Sequence, residues 1–264
     1  MKKYENQFIS KFNKNYGIPK KEAKMPTKIE WTDESWNPIT GCTPISPGCL
    51  NCYAKKMTNR LKGRYGYHHE NPFQVTMHKD KFSFPLSLRR PRKVFICSMG
   101  DIFHKDVPDA WIDAVLHVTS IVPRHTYIIL TKRPERMQYY INAIVDKHAI
   151  EIPSNLWFGV TTENQEMADF RLPLLIDTKI ANKFVSIEPM LGPVDLSNYI
   201  DCLNWVIVGG ETGNKARDMK AEWAMKVKFQ CLQKGIPFFF KQMSNKAPTP
   251  PDLAIKQFPS GMPV

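Results

Sequence analysis

From Lys93 onward the chain repeats one pattern: a short, almost continuously apolar run, a polar or Gly-containing turn, then a stretch with apolar residues at helical spacing. Strands are expected at residues 93–97, 127–130, 156–160, 183–187, 205–208 and 237–240. Runs apolar on both sides suit parallel strands covered on each face. Helices are expected at 108–120, 134–146, 163–176 and 219–234, the first two opening on Pro108 and Pro134, where proline best fits a helix. In the last of them Trp223, Val227 and Cys231 recur every four residues and form a stripe to lay on a sheet. A further strand at 35–39 brings the count to seven. Strands that each return through a crossover predict an α/β fold, a partial or nearly closed parallel β/α barrel spanning residues 28–243.

The flanks differ in kind. Residues 1–27 are rich in Lys and Asn with little periodicity and read as a flexible basic arm. Residues 244–264 carry five prolines and are expected to wrap the surface without regular structure. The 264 residues can bury one full-sized core. No apolar run reaches the length of a membrane span, and the start lacks the apolar stretch of a signal peptide. A soluble, cytoplasmic protein with no membrane partner is expected.

Net charge is +12, and its distribution says more than its sum. Residues 1–27 hold seven Lys against Glu5 and Glu22, whereas 28–54 are slightly acidic. Residues 55–93 hold eleven Lys and Arg against Glu70 and Asp80, and everything beyond balances. That basic segment includes Lys55, Arg60 and Arg64 and interleaves its cations with Tyr65, Tyr67, His68, His69, Phe73, Phe82 and Phe84. Cations for phosphates beside rings for bases suit a nucleic-acid groove, although a solvated charged face accounts for the same residues.

Six cysteines are too few for a disulfide scaffold. Cys97, Cys202 and Cys231 stand alone in apolar stretches and are expected to be small core residues. The others form Cys42-x6-Cys49-x2-Cys52, within a turn-rich loop containing Gly41, Pro44, Pro47 and Gly48. In a reducing compartment such a group points to metal. Three thiolates on an iron–sulfur cube leave one iron open, and an open iron can chelate the amino and carboxylate groups of S-adenosylmethionine. The alternative is structural zinc, whose fourth ligand would be His68, His69, His78 or Cys97.

The stretch GCTPISPGCLNCYA resembles the cluster loop of the radical S-adenosylmethionine superfamily, and in particular an uncharacterised, largely phage-associated family. It is more distantly similar to the spore photoproduct lyases, which repair DNA. The likeness runs from about Ile29 to Met243. It implies a 4Fe–4S cluster on Cys42, Cys49 and Cys52, S-adenosylmethionine as cofactor, and an electron donor such as flavodoxin or ferredoxin. Two departures stand out. The superfamily spacing is usually C-x3-C-x2-C, and Asn51 stands where an aromatic residue often meets the adenine.

Residues just past the strands form the mouth of a β/α barrel. Gly100 and Asp101 occupy the place of the superfamily's Gly-Gly-Glu turn, which holds the cofactor's amino group; a helix-capping turn is the other reading. Thr161 and Glu163 are candidates for ribose hydroxyls, and Lys132 and Arg133 for a carboxylate or a substrate phosphate. Glu188 and Glu211 would face a sulfonium cation, and Gly209 and Gly210 could offer backbone amides to adenine or an anion. Each could equally cap the helix that follows. Three functions remain in play: radical repair or modification of a nucleic-acid base, the same chemistry on a peptide or small metabolite, and non-catalytic nucleic-acid binding around structural zinc.

Overall fold

A computed structural model describes Thr27 and residues 29–263. The basic arm therefore lies outside the described residues, apart from Thr27. The strands are β1 (Glu34–Trp36), β2 (Ile39–Thr40), β3 (Thr76–Met77), β4 (Lys93–Ile96), β5 (Thr126–Thr131), β6 (Leu156–Thr161), β7 (Asn182–Ile187), β8 (Trp205–Val208) and β9 (Phe238–Phe240). The helices are α1 (Tyr53–Leu61), α2 (Phe84–Ser87), α3 (Asp109–Ile121), α4 (Pro134–His148), α5 (Gln165–Ile176) and α6 (Ala221–Lys234).

Seven strands form one sheet in the order β1-β4-β5-β6-β7-β8-β9. The pairs β1–β4, β6–β7, β7–β8 and β8–β9 are parallel. The protein is α/β with the strand order of a parallel β/α barrel, and β1 and β9 end that order as the sheet's two edges. Strand interiors such as Val206, Ile207 and Val208 are fully buried, as their unbroken apolar runs require. No helix among the described residues is long and apolar enough to cross a membrane.

The chain divides into two compact units, and within the described residues the first comprises Thr27, 29–43, 54–128 and Pro263, the second 44–53 and 129–262. In the first, Trp36 is buried with Phe82 and Tyr127 around it, and its indole N–H donates to Lys81 O at 2.7 Å. A small antiparallel pair sets β2 against β3, Ile39 opposite Met77.

In the second unit β6 to β9 carry α5 and α6. The buried side chains of α6 are Ala224, Val227 and Cys231, while Trp223 is only half-buried. Asn164 caps α5 by accepting the Met167 N–H at 3.0 Å. The proline-rich end is bound more tightly than its composition suggests. Phe240 N–H donates to Ile255 O at 2.8 Å, Gln257 N–H donates to Phe238 O at 3.0 Å, and Phe258 packs on Trp205. Residues 255–257 thus lie along the free edge of β9, which shields an edge strand from other pairing. Cys202 is exposed rather than buried, because it sits in a short surface turn ahead of β8. Cys97 and Cys231 are buried as expected.

Candidate functional site

Cys42, Cys49 and Cys52 are half-buried thiols, none of them in a disulfide. Cys42 lies in the first unit and Cys49 and Cys52 in the second. Among the described residues no three His, Cys, Asp or Glu side chains are already gathered as a metal-holding group.

In the first unit the chain entering Cys42 is tightly held. Gly41 pairs with Gly100 in a parallel bridge, and its N–H donates to Met99 O at 3.0 Å. Gly41 has φ +93°, and a Cβ there would lie 2.1 Å from Gln74 O. A Cβ on Gly100 would lie 2.8 Å from Gly41 O. Only glycine permits this approach from both sides. Cys42 N–H donates to Phe73 O at 3.1 Å. Thr43 Oγ1 lies 2.9 Å from Nε2 of the fully buried His104, whose Nδ1 accepts the Asp106 N–H at 3.2 Å. With Nδ1 accepting, the ring proton sits on Nε2 and donates to Thr43. Asp101 is buried, and its Oδ1 accepts the Phe103 N–H at 2.9 Å in a local side-chain turn ahead of α3.

In the second unit the loop around Cys49 is gripped from two places. The first is Glu163, fully buried just beyond β6. Its Oε2 accepts from Arg171 Nη1 at 2.9 Å, and its Oε1 accepts the Gly48 N–H at 3.0 Å. Burial pushes this carboxyl up, but the charge of Arg171, the Ser46 hydroxyl, the Gly48 amide and the charge of Lys132 outweigh it and hold the group below its ordinary value. Arg171 is itself buried on α5 and also donates to Thr161 O at 2.6 Å.

The second is Glu211, beyond β8. Its carboxylate accepts from Arg217 Nε at 2.9 Å, Arg217 Nη2 at 2.6 Å, the Arg217 N–H at 2.9 Å and Asn51 Nδ2 at 2.9 Å. Burial raises this carboxyl, but the Arg217 and Asn51 donors prevail and bring it down to about 2. Arg217 Nη1 reaches on to Pro47 O at 3.0 Å, and Asn51 Nδ2 also donates to Lys215 O at 2.7 Å.

Several residues expected to meet a cofactor are thus occupied inside the protein. Glu163 and Glu211 hold the cysteine loop, and Thr161 is buried in β6. The amides of Gly209 and Gly210 donate to Ile187 O at 3.1 Å and Gln242 O at 2.8 Å, so both are engaged within the chain. Gly210 is glycine because a Cβ would lie 2.3 Å from Ser244 N. Glu188 is the half-exposed carboxylate at this end of the sheet; it pairs with Lys241, and Gln242 Nε2 approaches it at 3.5 Å. Lys132 and Arg133 are half-buried at the start of α4, the Arg133 N–H donating to Thr131 Oγ1 at 2.9 Å.

Of the four side chains considered as a fourth zinc ligand, two are buried in the first unit and two are exposed on it. His78 is buried with Nε2 at 2.7 Å from Thr40 Oγ1, and burial raises the pKa of the Cys97 thiol well above its ordinary value, keeping it protonated. His68 and His69 are exposed on the surface of the first unit. In the basic segment Lys55, Lys56, Arg60, Lys62, Arg64, Lys79, Arg89 and Arg90 are exposed. Lys93 is buried and donates to Pro263 O at 2.7 Å, and the rings of Tyr67 and Phe82 belong to the core. Tyr65 is exposed, at 66 %, as are the rings of His68 and His69.

Sequence reasoning did not single out Arg171, Arg217, His104 or the role of Asn51. Arg171 alone carried a hint, as a cation on the apolar side of a crossover helix. Fold and site together define an α/β protein with a parallel sheet in β/α-barrel order and a loop bearing three cysteines outside any disulfide. The chain belongs to the family described as protein of unknown function DUF5131, whose profile matches residues 26–254. Among solved structures it is similar in fold to a cysteine-to-serine variant of spore photoproduct lyase, with TM-score 0.51 and 10% identity over 88% of this chain and 85% of that one. None of the curated proteins compared with it matches.

Proposed function

We propose that this chain is a radical enzyme that holds a 4Fe–4S cluster on Cys42, Cys49 and Cys52, binds S-adenosylmethionine there, and acts on a nucleic-acid base. The observation that carries the reading is the loop itself: three half-buried thiols, none in a disulfide, with the Gly48 amide before Cys49 held by Glu163 and the Asn51 side chain after it held by Glu211. The donors fit the group in kind and number, because three thiolates leave one iron for the cofactor. When bound, the cluster and cofactor would supply a 5′-deoxyadenosyl radical through reductive sulfur–carbon cleavage. A parallel sheet similar in fold to spore photoproduct lyase supports the same reading.

The chain's own residues take the remaining roles. Gly41 and Gly100 fix the entry to Cys42, and Asp101 stiffens the turn beside them. Glu188, with Lys241, is the proposed contact for the charged groups of the cofactor. Lys132 and Arg133 are assigned to an anionic substrate group, and the exposed cations Lys55, Arg60 and Arg64 to phosphates. A reducing, cytoplasmic setting and an electron donor such as flavodoxin or ferredoxin complete the proposal.

The test is anaerobic reconstitution of the full chain with iron and sulfide, then assay for 5′-deoxyadenosine from S-adenosylmethionine. Product from the wild type, lost in Cys42→Ala, Cys49→Ala and Cys52→Ala, is the expected result. No product, with tightly held zinc instead, overturns it.

A further inference from the structure

Two charged pairs converge on residues 47–51 of the second unit. Glu163, neutralised by Arg171, takes the Gly48 N–H, while Glu211, neutralised by Arg217, takes the Asn51 side chain. Arg217 adds a bond to Pro47 O at 3.0 Å. Every polar group of a half-exposed loop can be satisfied by water at little cost. A fully buried Glu–Arg pair is an expensive way to hold one amide, and such pairs are better explained by the geometry they specify than by stability.

The charge arithmetic points the same way. A rigid acceptor for a loop amide is strongest as an anion. Bare carboxylates beside a group of thiolates would repel them, and pairing each with its own arginine removes that penalty. The grip also falls around Cys49 and immediately before Cys52. The aromatic residue common before the last cysteine is replaced by Asn51, a residue that can bond to both Glu211 and Lys215 O.

We propose that Glu163–Arg171 and Glu211–Arg217 are positioning residues that hold the Cys49 segment in the shape that receives a metal cluster. This rests on the cluster reading above, and the experiment separates the two. The variant E211A/R217A removes both charges at once, so no lone buried carboxylate remains, and N51A removes only the loop's side of the contact. Three readouts are taken on full-length protein: the melting temperature, hydrogen exchange of peptides covering residues 44–53 before iron is added, and iron content with the electron paramagnetic resonance spectrum of the reduced, reconstituted protein.

The expected result is a melting temperature close to wild type, exchange in 44–53 faster by tenfold or more, and iron retention at least halved with an altered spectrum. Unchanged iron retention and spectrum in both variants overturn the positioning role, whatever the exchange data show. Equally fast exchange in wild type and variants overturns the clamp itself. A wild type that binds no iron yet protects 44–53, with protection lost in both variants, sinks the cluster reading and the positioning role while leaving a clamp on the loop.

Discussion

His78 Nε2 lies 2.7 Å from Thr40 Oγ1, and both residues are buried. Burial lowers the imidazole pKa to about 4; the charges of Lys81 and His68 push the same way and Asp80 pushes back. A folded pKa below the unfolded one means that the unfolded chain takes up the proton first as pH falls. The stability held by the neutral ring is therefore complete above about pH 6.5 and drains away between about 6.5 and 4. The loss reaches roughly 3 kcal/mol at its acid end, since a tenfold difference in proton affinity between the folded and unfolded chain is worth about 1.4 kcal/mol. Urea unfolding from pH 7.5 to 4 should show this decline in the wild type and a shallower one in His78→Asn. Equal slopes would remove His78 as its source.

Gly41→Ala and Gly210→Ala are expected to cost more than about 3 kcal/mol each, because the new Cβ would meet fixed backbone at 2.1 Å and 2.3 Å. Gly235 supplies the control. Its φ is +67° and nothing lies within 4 Å of a Cβ, so Gly235→Ala should cost only the left-handed strain of about 1–2 kcal/mol. Urea midpoints of the three variants rank these directly.

The pair of Glu163 and Arg171 invites a double-mutant cycle. Glu163→Ala leaves a buried guanidinium uncompensated and should destabilise the protein by about 3–5 kcal/mol. Arg171→Met in the same background removes the stranded charge and should recover part of that loss. A double variant no better than Glu163→Ala would show that packing around Arg171, and not its charge, sets the cost.

The sheet was legible because its strands are apolar on both sides and its turns carry Gly or Pro, so β4 to β9 and α3 to α6 fall within a few residues of their expected places. Residues 34–36 show how little sequence marks an edge: the expected strand spans 35–39, whereas β1 is three residues long and ends on one buried tryptophan. The site was legible as a loop and not as a network. Glu163 and Glu211 were visible as acidic residues past strand ends, but their partners stand eight and six residues further on, in a helix and in a surface turn. No periodicity links them, and only the fold shows that their carboxylates face inward to the loop. Lys93, Tyr67 and Phe82 erred in the opposite sense. They belong by composition to a basic aromatic segment, yet burial takes them out of any surface.

Nucleic-acid binding by residues 55–93 can be judged on the cations that burial leaves outside. Lys55, Arg60 and Arg64 are exposed on or just after α1, where exposed Tyr53 opens the helix and Tyr65 follows it. If these cations neutralise phosphates, each contact contributes roughly 0.7–0.9 to the slope of log affinity against log salt. The triple variant K55E/R60E/R64E should then lower that slope by about 2–3 for a random single-stranded oligonucleotide and weaken binding uniformly across sequences. Tyr65→Ala should weaken binding by about 1–3 kcal/mol if its ring stacks on a base, without changing the slope, since stacking releases no counterions. Fluorescence anisotropy at a series of salt concentrations reads both quantities. Binding independent of salt, or a triple variant indistinguishable from wild type, would move the substrate to a peptide or small metabolite and leave these cations as a solvated face.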